Sequence, residues 1–332
     1  MTRTALIIGI TGGIGSAVAH ALLARGWRLR ALHRQPERVR ARFGAAIEWR
    51  RGDAMSADDV IGADAGADLI VHAANPPAYR NWRGLAVPML ANTIEAARRS
   101  GARVLFPGNV YNYGADAGAV LSEDSPQHPA TRKGRIRVEM EGMLAEAAGR
   151  GCRSIVVRAG DFFGGHGNGG WFDGVLVKRG KPVTAVVYPG DHAAGHAWAY
   201  LPDLAETFAR LAEREGELGA FETFHFGGHY LARGIDMAEA IRRAAGAPAA
   251  PIRKLPWWAL YAAAPFNETC RELLEMRYLW QRPLRLDNRR LLRFLGEEPH
   301  TPLDEAVSTA LTALDCLPAG RRGQRATVEL AS

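Results

Sequence analysis

Short apolar runs alternate with amphipathic stretches through the first half of the chain. ALIIGI (5–10), RLRALH (28–33), AIEW (46–49), DLIVHAA (68–74), RVLFPG (103–108) and SIVVRAG (154–160) have the length and composition of strands. Between them, 14–25, 88–100 and 133–149 carry apolar residues at helical spacing. Apolar strands separated by helices predict a parallel sheet covered on both faces and linked by right-handed crossovers. The fold class is therefore α/β, a doubly wound parallel sheet. After about residue 165 the pattern loosens. GGHGNGGW (164–171) reads as a glycine-rich loop, FETFHFGG (221–228) as a further strand, and 237–246 and 268–282 as helices. The polar tail from Pro318 (318–332) is expected to be disordered.

A chain of 332 residues, 47% apolar and 23% charged, has the means to bury a large core. Its net charge of +7 would suit an acidic partner. The cations are scattered, however, and lysine occurs only at Lys133, Lys178, Lys181 and Lys254. A nucleic-acid footprint should cluster, so nucleic acid is not expected as a partner; an anionic small molecule is. Cys152, Cys270 and Cys316 have neither CxxC nor metal spacing, which argues against a disulfide framework or a metal site. The start, MTRTALIIGITGG, runs straight into a strand, so no signal peptide is read there. PWWALYAAAPF (256–266) is too short to span a bilayer. A cytoplasmic protein without a membrane partner is expected. Trp257, Trp258, Tyr261 and Phe266 in that segment should form core, or else line an apolar pocket.

GITGGIGSAVAHALLARG (9–26) follows the first strand and opens the first helix. Gly9, Gly12 and Gly15 let a backbone turn tightly and approach a pyrophosphate, whose charge sits on free N–H groups at a helix start. The loop residues Thr11, Gly13 and Ile14 belong to the same candidate site. The end of the second strand discriminates between dinucleotides. A ribose 2′-hydroxyl wants a carboxylate there and a 2′-phosphate wants a cation. His33 and Arg34 end the strand and Arg38 follows one turn later, so NADP is favoured over NAD. Asp53, after the third strand and next to Ala54, is placed to accept a hydrogen bond from an adenine amine.

The glycine loop, HAAN (72–75) and PGNVYNYG (107–114) resemble the extended short-chain dehydrogenase/reductases, a group that includes sugar-nucleotide epimerases and dehydratases. VRAGDFFG (157–164), AWAYLPDLAETF (197–208) and LRLDNRRLLRFLG (284–296) agree in order, so the resemblance runs to about residue 317. It implies a Rossmann cofactor domain over 1–165, with elements returning around 183–228. A smaller, discontinuous α/β substrate domain, mainly 166–317, is implied beside it. Ala73, Ala74 and Asn75 would then touch the cofactor, and Asp161 and Phe162 the nicotinamide or substrate. The family's Ser/Thr and Tyr-x-x-x-Lys positions fall on Asn109, Lys133 and Arg137, all three changed. Gly134 and Glu141 support that register.

TRKGRIRVEME (131–141) is thus the helix that should carry the catalytic pair. At about 100° per residue, Ile136, Met140, Leu144 and Ala147 form an apolar stripe, and Lys133 and Arg137 fall on or beside it. Cations at a helix start oppose the macrodipole, and surface cations have no reason to face inward. Lys133 is read as the proton-exchanging group and Arg137 as a holder of ribose hydroxyls. Asn109 is read as a donor to a carbonyl, and Arg135 as the i,i+4 partner of Glu139. Tyr111 and Tyr113 are alternative phenols, Tyr113 also a substrate contact. The loop with His166, Asn168 and Trp171 would close over the substrate, or else serve as a flexible linker. The chemistry expected is hydride transfer at a carbonyl or alcohol carbon of a small molecule. The alternative is a dinucleotide-binding sensor or scaffold without chemistry. A homodimer through helices including 133–149 is implied by resemblance alone.

Overall fold

The computed structural model describes residues 2–76, 81–165 and 170–317. The expectations for His166, Asn168 and the tail from Pro318 lie outside the described residues.

The expected strands form: β1 (Thr4–Ile8), β2 (Arg28–His33), β3 (Ile47–Arg51), β4 (Leu69–His72), β5 (Arg103–Asn109) and, after a short β6 (Val120–Leu121), β7 (Arg153–Ala159). Beyond them lie β8 (Asp161–Phe163), β9 (Val186–Tyr188), β10 (His196–Tyr200), β11 (Phe221–His225), β12 (His229–Leu231), β13 (Ile252–Lys254) and β14 (Arg285–Leu286). Seven of these make one sheet, ordered β11-β7-β5-β4-β1-β2-β3, with every pair parallel. The order reverses between β1 and β4, which opens a crevice above their carboxyl ends.

The helices are α1 (Gly13–Ala24), α2 (Ala57–Asp64), α3 (Trp82–Ser100), α4 (Arg132–Ala148), α5 (Leu201–Glu213), α6 (Ile235–Ala245), α7 (Trp257–Ala263), α8 (Glu268–Glu275), α9 (Arg289–Leu295) and α10 (Leu303–Ala313). Strand periodicity sorts the core into two layers. Ala5 and Ile7 of β1 pack with Val18 and Leu22 of α1 and Leu204 and Phe208 of α5. Leu6 and Ile8 face the other way, into the layer built by Val60 of α2, Leu90 of α3 and Met140 and Leu144 of α4. α3 starts earlier than expected and runs through Pro88. A proline inside a helix costs about 3 kcal/mol, and the burial of Trp82, Ala86, Leu90 and Ile94 along the same face offsets it. The stretch expected as one helix over 268–282 instead ends at Glu275 and tightens into a 3₁₀ turn over Met276–Trp280, which buries Met276, Leu279 and Trp280.

β8, β10 and β12 form a second sheet, and the pairs β9–β13 and β6–β14 complete the smaller region. β6 comes from the first half of the chain and β14 from near its end. Gly160 makes the passage from β7 to β8: a Cβ there would lie 2.2 Å from the Ala197 carbonyl oxygen. One expectation fails in this region. Trp258, Tyr261 and Phe266 are exposed rather than core, because α7 turns Trp257, Ala259, Leu260 and Ala263 toward the protein.

A buried polar network crosses the sheet edge. The Arg158 guanidinium meets the Glu141 carboxylate at 2.7 Å and donates to the Tyr113 hydroxyl at 2.7 Å. That hydroxyl lies 3.0 Å from Nε2 of His225, whose Nδ1–H donates to the Leu121 carbonyl at 3.1 Å. Burial, with the Arg158 charge, pushes His225 down to about 3. His72 is likewise pushed to about 3 by burial and by Arg137, and its ring bonds Thr93 Oγ1 at 2.8 Å. Both rings are neutral in the folded chain and titrate near 6.5 in the unfolded one. The unfolded state therefore binds more protons between these values, so stability is complete above pH 6.5 and falls as pH drops toward 3. Urea denaturation at a series of pH values should show that decline, made shallower by His72→Asn; a midpoint independent of pH would contradict it.

Candidate functional site

At the crevice, β1, β4 and α1 meet backbone to backbone. Gly9 has φ of 93°, and a Cβ on it would lie 2.5 Å from the Ala73 carbonyl carbon. A Cβ on Gly15 would lie 2.3 Å from the Gly9 carbonyl oxygen. Only glycine fits either place. Gly12 differs, since a Cβ on it would meet nothing nearer than 3.4 Å. The chain's own packing does not require that glycine, and the room over it is what an approaching pyrophosphate would take. Gly12 caps α1 without a side-chain hydrogen bond, and no acid lies in the first turn. The N–H groups of Gly13, Ile14 and Gly15 thus have no intrahelical partner, and Thr11 sits half-buried beside them. The cradle fits a dinucleotide phosphate.

The flanking residues follow the same geometry. Nδ1 of His33 accepts from the Gln35 N–H at 3.1 Å. Arg34 and Arg38 are exposed and make no ion pair among the described residues. The nearby carboxylate, Glu37, is taken by Arg51 at 2.8 Å. Asp53 uses Oδ1 to hold the Met55 N–H at 3.0 Å, and the Ala54 carbonyl accepts from Asn92 at 2.9 Å. These bonds fix the turn that ends β3 beside the crevice.

Asn75, two residues past the Ala73 backbone that meets Gly9, lines a cleft with Asn109, Tyr111, Arg137, Asp161 and Phe162, walled by Trp82 and Trp171. Five elements or their connections converge there. Arg137 arrives on α4, whose first turn is capped by Thr131 Oγ1 accepting from the Gly134 N–H at 3.0 Å. Gly134 lets α4 sit directly on the loop after β5, since a Cβ there would lie 2.2 Å from the Tyr111 carbonyl oxygen. The Arg137 guanidinium lies 4.9 Å from the Trp82 ring centroid and 5.4 Å from that of Phe106, and donates to the Pro107 carbonyl at 3.3 Å. Asn109 accepts the Tyr111 N–H on Oδ1 at 3.0 Å. Asp161 Oδ2 accepts from His196 Nε2 at 2.8 Å, and the imidazole stacks on Trp280 with centroids 4.0 Å apart.

Two expected residues are elsewhere. The Lys133 ammonium is buried against Glu272, 2.8 Å from its carboxylate and 2.9 Å from its carbonyl, and does not line the cleft. Burial pushes the amine below the ordinary lysine value while Glu272 opposes that shift. The inward stripe of α4 is therefore shared, with Arg137 facing the cleft and Lys133 facing α8. Tyr113 is fully buried in the Arg158 network, where burial pushes its phenol up to about 12, and it too is absent from the cleft wall. The Arg135–Glu139 pair is also not formed; Glu139 meets Arg83 at 3.2 Å instead. Conversely, His196, Trp82 and Glu272 were not read from the sequence. Each acquires its partner through the fold alone, Glu272 lying 139 residues from Lys133. Among the described residues, no cluster of metal-ligating side chains occurs.

The architecture is shared with solved structures. WbmH of Bordetella bronchiseptica, in complex with NAD+, superposes with a TM-score of 0.69 at 19% identity, over 94% of this chain and 98% of that one. The UDP-glucose-4-epimerase of Stenotrophomonas maltophila, with bound NAD and formylated UDP-arabinopyranose, gives 0.73 at 15% identity over 95% and 98%. The UDP-glucose 4-epimerase of Thermus thermophilus, complexed with NAD, gives 0.73 at 18% identity over 94% and 99%. At such identities the likeness establishes the fold. No curated protein matches the sequence. The model of the NAD dependent epimerase/dehydratase family does match it, over residues 5–227. That match spans well over half of the sequence, and the chain belongs to the NAD dependent epimerase/dehydratase family.

Proposed function

We propose that this family member is an NADP-dependent oxidoreductase, or an epimerase or dehydratase passing through an oxidised intermediate. It acts on an alcohol or carbonyl carbon of a small molecule. The observation that carries the reading is one cleft lined by Arg137, Asn109 and Asp161 together with Asn75, two residues beyond the Ala73 backbone that meets Gly9 of the cradle. NADP is favoured over NAD because Arg34 and Arg38 are uncommitted cations while Glu37 is held by Arg51. The nicotinamide, when bound, supplies the hydride acceptor or donor. The side chains do the rest. Arg137 keeps its charge at any relevant pH and stabilises negative charge on the substrate oxygen, but it exchanges no proton. The Asn109 amide, its oxygen held by Tyr111 N–H, presents its NH₂ to a carbonyl. Asp161, with His196 behind it, takes or returns the hydroxyl proton, with the Tyr111 phenol as the other exchangeable group. Lys133 is a positioning residue that ties α4 to α8. Solved neighbours are named for UDP-sugars, so nucleotide sugars head the substrate screen.

Fluorescence titration should show NADPH binding more tightly than NADH. Arg34→Ala should weaken NADPH by roughly tenfold, the loss of one charge-assisted contact, and leave NADH unchanged. A preference for NADH would refute the NADP assignment, and no binding of either would refute the enzyme reading. On any substrate found among UDP-sugars and simple carbonyls, Arg137→Ala should lower kcat by about a hundredfold or more; full turnover in that variant would remove Arg137 from the mechanism. Lys133→Met should act on stability, costing about 3 kcal/mol by leaving the buried Glu272 carboxylate with only the exposed Arg132 as its ion-pair partner. Adding Glu272→Gln should restore part of that loss in thermal melts, and a stable but inactive Lys133→Met would return Lys133 to catalysis.

A further inference from the structure

Among the described residues, 251–285 is the segment that carries the exposed aromatic rings. α7 has no fully buried residue, and Trp258, Tyr261 and Phe266 are 76, 53 and 93% exposed. Among the described residues, no other tryptophan, tyrosine or phenylalanine is exposed to this degree. The helix that carries two of them is tied to the protein. Trp257, on the inner side of α7, donates from Nε1 to the Pro189 carbonyl at 2.8 Å and lies 6.2 Å from Trp171 in the cleft wall. Arg277 donates to the Tyr261 hydroxyl at 3.2 Å, and Arg271 to the Ala264 carbonyl at 2.8 Å.

The exposed charges of this segment are one-sided. Every exposed charged side chain from 251 to 285 is a cation: Arg253, Lys254, Arg271, Arg282 and Arg285. Glu268 and Glu275 are half-buried, and Glu272 is buried against Lys133. Tryptophan and tyrosine favour the headgroup–acyl boundary of a bilayer, and cations beside them favour anionic headgroups. No helix among the described residues is long and apolar enough to cross a membrane, so contact would be peripheral.

We propose that the α7–α8 surface docks on an anionic phospholipid bilayer. Trp258, Tyr261 and Phe266 enter the interface, and Arg253, Lys254 and Arg271 meet the phosphates. This stands independently of the catalytic reading.

The test is co-sedimentation of the full chain with vesicles of phosphatidylcholine alone and of equimolar phosphatidylcholine and phosphatidylglycerol. Binding to the anionic vesicles is expected, weakened by salt and absent on the neutral ones. Trp258→Ser/Phe266→Ser should abolish it, and Arg253→Ser and Lys254→Ser should each weaken it roughly fivefold. All four side chains are exposed, and circular dichroism checks that the variants stay folded. No binding to anionic vesicles, or binding untouched by the double aromatic variant, overturns the proposal. So does self-association of wild type that the aromatic variant abolishes in the absence of vesicle binding, which would assign the surface to a second copy of this chain.

Discussion

Arg158 and Glu141 are both buried, 2.7 Å apart, on β7 and α4. A buried charge without its partner is severely destabilising, so neither residue tolerates much displacement of the other. The pair pins the middle of α4 to the sheet, and Tyr113 and His225 extend the bond network to the loop after β5 and to β11. One turn earlier on α4, Arg137 stands in the cleft. Its position follows from the Glu141 anchor on one side and the Gly134–Tyr111 backbone contact on the other. A guanidinium held this way meets developing charge without reorganising, which is where such a group gains its effect.

The basic start of α4 obeys the dipole rule once the third dimension is included. No acid lies in its first turn. Glu272 and Glu275 of α8 supply the negative charge from the smaller region, pairing with Arg132 and Lys133 at the positive end of the helix. The same contacts join α8 to α4, and the β6–β14 pair adds a second link between early and late parts of the chain. The cleft wall draws on both sheets, with Asn109 on β5 and Asp161 on β8, and on Arg137 from α4.

Trp257 and Trp258 show how one turn of helix divides roles. Trp257 packs toward Trp171, and Trp258 faces solvent. α7 is short and covered on one side only, so a run that is apolar throughout cannot be wholly buried. That leaves an aromatic face flanked by cations on a chain with a net charge of +7.

Much of this molecule is written in local pattern. The apolar runs predicted the strands because a strand buried on both faces needs continuous apolar sequence, and β2 falls at 28–33 as read. The glycine spacing was legible because backbone approach between Gly9, Gly15 and Ala73 excludes any side chain. The candidate roles of Arg137, Asn109 and Asp161 came with the family's order of motifs, and the fold brings all three into one cleft. Pattern could not decide which of two inward cations on α4 faces the cleft. Lys133 and Arg137 are one turn apart on the same stripe, and the choice between them is made by Glu272, a carboxylate 139 residues away. Likewise, nothing local distinguishes the buried phenol of Tyr113 from the cleft-lining Tyr111, or joins His196 to Asp161. Those distinctions depend on which distant polar group each side chain meets when water is excluded, and only the packed structure sets that.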